Sequence, residues 1–263
     1  MKLEPERVAQ QFSRAAFQYD HHAHVQIGVA RSLLAWLAPS NEKGIAVDVG
    51  AGTAPMAWQQ RRLRPHYAWW ALDLSHAMVA QMQARGRSAS NYRGICANAL
   101  AMPFATGSVN LLYSSFALQW CHNLPVQSQE LYRVAAPGAE LLMAVPVQGT
   151  LQEMVNAWGE VSDNLHVNTL ATTQAWVEAL SQAHWCVEDV VEQKILEHYP
   201  NVQAVAQQLK NTGANYVAAG KRGLMGKQQW GAFEQAYERL RQPQGLPVTW
   251  QVLMLRCSKV SVR

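Results

Sequence analysis

The residues with the most chemical content lie in one stretch, Ile45-Ala46-Val47-Asp48-Val49-Gly50-Ala51-Gly52-Thr53-Ala54-Pro55, answered by Asp73 in Trp69-Trp70-Ala71-Leu72-Asp73-Leu74. The apolar run reads as a buried parallel strand, the glycine-spaced piece as a tight turn, and the second run as the next strand. Gly50 and Gly52 can take positive φ and leave bare backbone for a ligand to approach. Asp73, at the end of the second strand, can accept two hydrogen bonds from a ribose diol. The chemistry is that of a site for an adenosine-like group.

What is missing narrows the ligand. A dinucleotide fingerprint needs a third glycine so that its helix can sit close over a pyrophosphate, and Pro55 holds that place; no Gly-x-x-x-x-Gly-Lys-Ser/Thr run is present either. Asp48, inside the turn, would repel a phosphate and attract the cationic amino and sulfonium groups of S-adenosylmethionine. The charge balance therefore favours that cofactor over NAD or ATP.

Further strand ends complete the set. Ile95-Cys96-Ala97-Asn98-Ala99 places Asn98 where its amide can bond an adenine amine, and Ala99 where its N–H can reach a ring nitrogen. Ser114-Ser115-Phe116-Ala117-Leu118-Gln119-Trp120-Cys121 brings polar and aromatic groups to the carboxyl edge of the sheet, where ligands of open α/β folds sit. His21, His22 and His24 lack an acidic or thiol partner at ligand spacing, so they read as a helix-surface cluster and no metal is expected. The absence of a Gly-x-Ser-x-Gly elbow removes the common serine-hydrolase reading.

The elements that must position these groups follow from periodicity. Residues 7–37 carry apolar side chains at three- and four-residue steps, which predicts an N-terminal helical segment. Strands are expected at 45–49, 68–73, 92–96, 109–114 and 139–145, with helices near 55–63, 76–85 and 126–135 and Pro137-Gly138 stopping the last of these. That alternation is the pattern of a doubly wound parallel sheet. Helices at 151–161 and 173–183, the latter capped by Thr172 or Thr173, precede a strand at 185–196. Residues 200–243 read as more helix, broken by Gly213, Gly220, Gly223 and Gly226, before a final strand at 248–257. An insertion of that size before the last strand suits a substrate cap.

At 263 residues the chain can bury one sizeable α/β core, so one domain with an elaborated cap is expected. Charged residues are only 15%, yet no uninterrupted apolar run approaches the roughly 18 residues of a membrane-spanning helix. The N-terminal Met1-Lys2-Leu3-Glu4-Pro5-Glu6-Arg7 has no signal-peptide core, and the four cysteines lack Cys-x-x-Cys spacing; both point to a cytoplasmic setting with reduced thiols. The net charge of +4 is too mild to argue for nucleic acid. Its distribution is uneven: residues 201–263 hold nine Lys and Arg against Glu234 and Glu238, a net +7, while the rest holds thirteen against sixteen, a net −3. The basic third is a candidate face for an acidic partner, or simply a solvated surface.

With these residues in hand, the chain resembles the class I S-adenosylmethionine methyltransferases, and more closely the malonyl-[acyl-carrier protein] O-methyltransferases of biotin synthesis. The closer likeness rests on Phe12-Ser13-Arg14-Ala15-Ala16-Phe17-Gln18-Tyr19-Asp20, Leu118-Gln119-Trp120-Cys121-His122-Asn123-Leu124, Glu130-Leu131-Tyr132-Arg133-Val134, Val147-Gln148-Gly149-Thr150-Leu151 and Leu209-Lys210-Asn211-Thr212-Gly213-Ala214-Asn215. Three positions depart from the family pattern: Ala51 stands where Cys or Gly is common, and Asn98 and Asn110 where Asp is common.

The resemblance implies a mostly parallel seven-stranded, Rossmann-like sheet with helices on both faces. It would be divided into an N-terminal lid (1–40), a cofactor-binding core (45–146), the second half of the sheet (147–199), a helical cap (200–247) and the last strand (248–257). It implies that Tyr19, Asp48, Gly50, Ala51, Gly52, Asp73, Leu74, Asn98, Ala99 and Phe116 hold S-adenosylmethionine. Tyr19, Gln119 and Trp120 would position the reactants with no general base, and Arg133 and Lys210 would meet the substrate carboxylate. The implied reaction methylates the free carboxylate of a malonyl thioester on acyl-carrier protein, or on coenzyme A. Alternatives are another small-molecule carboxylate or oxygen methyltransferase, and an S-adenosylmethionine-binding protein without catalysis.

Overall fold

Successive residues of the strand Gly44–Val49 (β1) point to opposite faces of a sheet, and both faces are covered: Ala46 joins one apolar cluster, Val47 and Val49 the other. Burial on both sides is the reason the run is apolar almost throughout. The computed structural model describes residues 4–121, 123–164, 166–214 and 226–260. Within them β1 pairs in parallel with Tyr67–Asp73 (β2) on one side and Val109–Ser115 (β4) on the other. Tyr92–Cys96 (β3) extends the sheet beyond β2, and Ala135–Pro146 (β5) lies parallel to β4. Leu246–Ser258 (β7) runs antiparallel between β5 and Cys186–Tyr199 (β6), which gives the order β3-β2-β1-β4-β5-β7-β6. Strand order reverses between β1 and β4, which opens a crevice at their carboxyl ends.

One face carries the helix His24–Leu34 (α3), whose Val29, Leu33 and Leu34 pack in the cluster that holds Ala46 and Tyr113. Gln152–Gly159 (α7), Val202–Asn211 (α9) and Lys227–Glu238 (α10) join it through Trp158, Leu209 and Phe233. The opposite face is covered by Leu124–Val134 (α6) and Thr173–Gln182 (α8), through Leu131, Val134, Trp176 and Leu180. Thr172 caps α8 by accepting from Ala175 N at 3.1 Å, and Ser75 caps His76–Ala84 (α5) by accepting from Met78 N at 3.2 Å. Ala57–Leu63 is the short helix after the glycine turn. No helix of the described residues is long and apolar enough to cross a membrane.

The structure differs from the periodicity in two informative places. The expected single helical segment at 7–37 is divided into Pro5–Ala15 (α1), Tyr19–His22 (α2) and α3, because the chain turns at residues 16–18 and 23 to send Tyr19 and Asp20 inward. The strand expected from 139 begins at Ala135, so Pro137-Gly138 lies inside β5 rather than between elements. The ladder shifts register there between Val109 and Leu111 and Gly138 takes φ +77°, an irregularity that tolerates a missing N–H. Gly220, Gly223, His122 and Asn215 lie outside the described residues.

Leu33 is fully buried at the contact between α3 and the sheet. Leu33→Ala should lower the free energy of unfolding by about 2–5 kcal/mol, and Leu33→Met by less than about 1.5 kcal/mol, as measured by urea denaturation.

Candidate functional site

The glycine turn is folded by its own backbone and held by one carboxylate. Gly50 N and Ala51 N both donate to Leu72 O, at 2.7 and 3.0 Å, which bends the chain around the end of β2. Asp73 then accepts from Gly52 N through Oδ2 and from Ser75 N through Oδ1, both at 2.8 Å, so one side chain ties the turn to the start of α5. Gly50 has φ +73°, and a Cβ built on it would lie 2.0 Å from the Ala117 Cβ, a distance no side chain can occupy. This cradle between the ends of β1 and β4 exists only because the residue is glycine.

Two cavities open above it. One of about 350 Å³ is lined by Gly50, Gly52, Asp73, Leu74, Asn98 and Ala99 along the strand ends, and by Pro5, Val8 and Phe12 of α1 as a roof. The other, of about 220 Å³, lies between α7, α9, α10 and the loop before α8. They share four aromatic walls, Phe12, Tyr19, Phe116 and Trp120. Phe12 meets Trp120 edge to face with ring centroids 5.5 Å apart. Phe116 sits at φ +53°, a costly conformation for a non-glycine residue, and packs edge to face on Trp250 at 5.8 Å. The first cavity has the size and mixed lining of a nucleoside site.

The roof is latched by residues that the sequence alone did not single out. Asp20 accepts from Thr53 Oγ1 at 2.5 Å and pairs with both Arg85 and Arg87, while Arg85 also donates to Phe17 O and Arg87 to Thr53 O, each at 2.7 Å. Burial pushes the Asp20 carboxyl up, but the hydrogen bonds from Arg87 and Thr53 and the two guanidinium charges hold it below the usual value. The adjacent Tyr19 is thereby fixed with its ring 4.0 Å from where a Gly52 Cβ would stand. Burial, then the charges of Asp73 and Asp20, push its hydroxyl far up, so it stays protonated. Nothing in residue spacing announces this latch, since its members come from positions 20, 53, 85 and 87.

Asp48 is placed differently from Asp73. Its Oδ2 accepts from Gln60 Nε2 at 2.7 Å, whose Oε1 accepts from Tyr92 Oη at 2.8 Å, and it borders a niche of about 40 Å³ beside the larger cavity, together with Ala51. Gln26 Oε1 and Ser115 Oγ, in residues that line the same niche, are buried with no hydrogen-bond partner. Two orphaned polar atoms and a carboxylate in so small a space suit the ammonium end of the expected cofactor, and Gln26 is a further residue that sequence reasoning missed. Burial is the main reason that Asp48 is pushed up to about 7 and Asp73 to about 6.

The structure brings Tyr19, Gly50, Gly52, Asp73, Leu74, Asn98, Ala99, Phe116 and Trp120 together around the larger cavity, with Asp48 and Ala51 at the niche and Gln119 in the smaller cavity. Asn98 Oδ1 accepts from Leu100 N at 2.9 Å, which steadies the loop after β3. Asn110 Oδ1 accepts from Ile45 N at 2.9 Å, so this departure serves the start of β1. Arg133 and Lys210 line neither cavity. Arg133 is committed to Glu130 at 2.7 Å and to the carbonyls of Phe104 and Met102, because its helix faces that loop; Lys210 is exposed while its neighbour Leu209 points inward. Neither of these two cations therefore stands at the wall of a cavity in this structure.

The two raised carboxylates fix a pH dependence. In the ligand-free protein each binds its proton more tightly folded than unfolded, so this part of the stability is present below about pH 4 and is lost as pH rises through about 6–7. A cationic donor needs the ionised forms. Its affinity should rise roughly tenfold between pH 5.5 and 7.5 by calorimetry, and a flat profile would contradict the placement.

A family model described as "Methyltransferase domain" matches residues 47–143, the span of β1 to β5. The chain is 43% identical over 252 residues to the malonyl-[acyl-carrier protein] O-methyltransferase of Alcanivorax borkumensis, covering 96% of this chain and 86% of that protein. It is 33% identical over 254 residues to the biotin biosynthesis bifunctional protein BioHC of Cellvibrio japonicus, covering 96% of this chain and spanning 50% of that protein. Geranyl diphosphate C-methyltransferase from Streptomyces coelicolor A3(2), solved with S-adenosyl-L-homocysteine, superposes with a TM-score of 0.55 at 15% identity, over 89% of this chain and 80% of that one, which speaks for the fold alone. With its glycine cradle, acidic strand end and aromatic partition, the chain belongs to the malonyl-[acyl-carrier protein] O-methyltransferases, S-adenosylmethionine-dependent enzymes of the class I methyltransferase fold.

Proposed function

We propose that this protein methylates the free carboxylate of a malonyl thioester carried by acyl-carrier protein, giving the malonyl methyl ester that primes biotin synthesis. The observation that carries the reading is the pair of cavities meeting at Phe12, Tyr19, Phe116 and Trp120, which supports a donor on one side of that partition and an acceptor on the other. S-adenosylmethionine supplies an electrophilic methyl group on a sulfonium. Asp73 and Asn98 would hold its ribose and adenine, and Gln26, Asp48 and Ser115 its amino-acid end. The cradle at Gly50 and the orphaned atoms of the niche fit that assignment.

The acceptor needs no base, because a carboxylate of pKa near ~4 is ionised at neutral pH. What the chain's residues contribute is position and dryness. The four aromatic walls attract a sulfonium through their π faces and exclude water from the anion, so that attraction between the reactants is little screened. Tyr19 packs against the reactants without exchanging a proton. Methylation cancels the charge of the acyl end and leaves it resembling a neutral fatty chain.

An acidic carrier is the partner that the +7 of residues 201–263 would attract. Incubation with labelled S-adenosylmethionine and a panel of acyl-carrier thioesters should label the malonyl species as a methyl ester and leave the acetyl species unlabelled; the reverse would overturn the substrate. Transfer to the carrier-bound substrate should slow steeply with added salt, and transfer to malonyl-coenzyme A should slow less. Equal salt responses would remove the docking face. Tyr19→Phe should change kcat or KM while the pH-rate profile keeps its shape, and loss of a basic limb would assign Tyr19 a proton-transfer role instead.

A further inference from the structure

The acceptor cavity has an anion to receive and, among the described residues, neither Lys nor Arg in its wall. Its polar atoms are mostly committed: Thr150 Oγ1 donates to Gln251 O at 2.9 Å, Thr212 Oγ1 to Gln208 O at 3.1 Å, and Gln119 Nε2 to Phe116 O at 2.9 Å. Three buried polar atoms of the lining residues have no hydrogen-bond partner, namely Gln26 Oε1, Gln119 Oε1 and His166 Nε2. The two amide oxygens can only accept. An imidazole nitrogen can carry a proton and donate it in a hydrogen bond.

Resting on the malonyl reading above, we propose that His166 is the group that recognises the substrate carboxylate and selects an acidic acyl end over a neutral one. Its ring is held for that purpose in a three-ring stack: it lies on Trp158 with centroids 3.8 Å apart and planes 13° apart, and Trp158 lies on Phe233 at 4.0 Å and 7°. Trp158 and Phe233 are buried, so the stack ties the loop before α8 to α7 and α10 and leaves the imidazole little freedom. Burial without a charged neighbour lowers the pKa of His166, which keeps the ring neutral at neutral pH. A neutral donor binds one carboxylate oxygen and leaves the other with most of its charge for attack. An ammonium or guanidinium would withdraw more of that charge from the nucleophile. The oxygen of Gln119, being an acceptor, disfavours the carboxylate beside it.

The test uses malonyl-coenzyme A and the neutral acetyl-coenzyme A with three enzymes: wild type, His166→Phe, which keeps the stack and loses the nitrogen, and His166→Gln, which restores an N–H donor. His166→Phe should raise KM for malonyl-coenzyme A roughly tenfold or more, with kcat changed less and donor affinity unchanged. It should also lose the wild-type preference for malonyl- over acetyl-coenzyme A in competition binding. His166→Gln should recover most of that preference, which a purely structural role would not predict. Should His166→Phe melt below the assay temperature, His166→Leu carries the same comparison. If wild type methylates malonyl-coenzyme A and the apolar variant keeps the acid preference, this inference is overturned alone. If wild type methylates no malonyl thioester, the functional reading falls and takes this inference with it.

Discussion

The site depends on the close approach of the Gly50 backbone, at the end of β1, to the methyl group of Ala117 just after β4, with no space for a second methyl between them. That contact closes the floor of the donor cavity at the point where strand order reverses. Everything placed around it follows: Asp73 can reach back to Gly52 because the turn is so tight, and Phe116 is forced into a left-handed conformation because the chain must leave β4 immediately beside the glycine. Strain at Phe116 and burial of two carboxylates are costs that the rest of the sheet offsets. Both are concentrated at the walls of the larger cavity and its niche.

The roof over this floor is held by charge, in contrast to the apolar sheet beneath it. Asp20 with Arg85, Arg87 and Thr53 forms a partly buried cluster that fixes α2 and the turn before it against the glycine loop after β1 and the residues that follow α5. His24 and His22 add ties from the same region to β6 and α9, through Glu197 and Asn211. A lid attached by paired charges can be released and remade at modest cost, whereas one sealed by a large apolar face could not admit a donor. The ion-pair latch thus leaves this segment easier to release than the apolar core beneath it.

Charge is distributed unevenly between the two cavities. The larger cavity and its niche have the carboxylates of Asp73 and Asp48; the smaller cavity, among its described residues, has aromatic rings, amides, hydroxyls and one histidine. The aromatic partition of Phe12, Tyr19, Phe116 and Trp120 separates an acidic space from one with no Lys, Arg, Asp or Glu among its described lining residues.

The strands and the glycine turn were legible in the sequence because both are local. An apolar run with glycines after it, and an aspartate at the end of the next run, state their structure within a few residues, and the strand boundaries at 44–49, 67–73, 92–96 and 109–115 lie close to those expected from pattern alone. Residue type likewise marked Asn98, Phe116 and Trp120. What periodicity could not show was which polar groups would be paired. Arg133 looked available for a substrate, and only folding reveals that Glu130 and two carbonyls consume it; Asp20, Arg85 and Arg87 looked like separate surface charges, and only folding brings them together. Local sequence determined the elements and the glycine turn, since those follow from nearest neighbours along the chain. Tertiary structure decided the latch, the partition and the orphaned groups, since a hydrogen-bond partner far away in sequence becomes known only when the chain has closed around it.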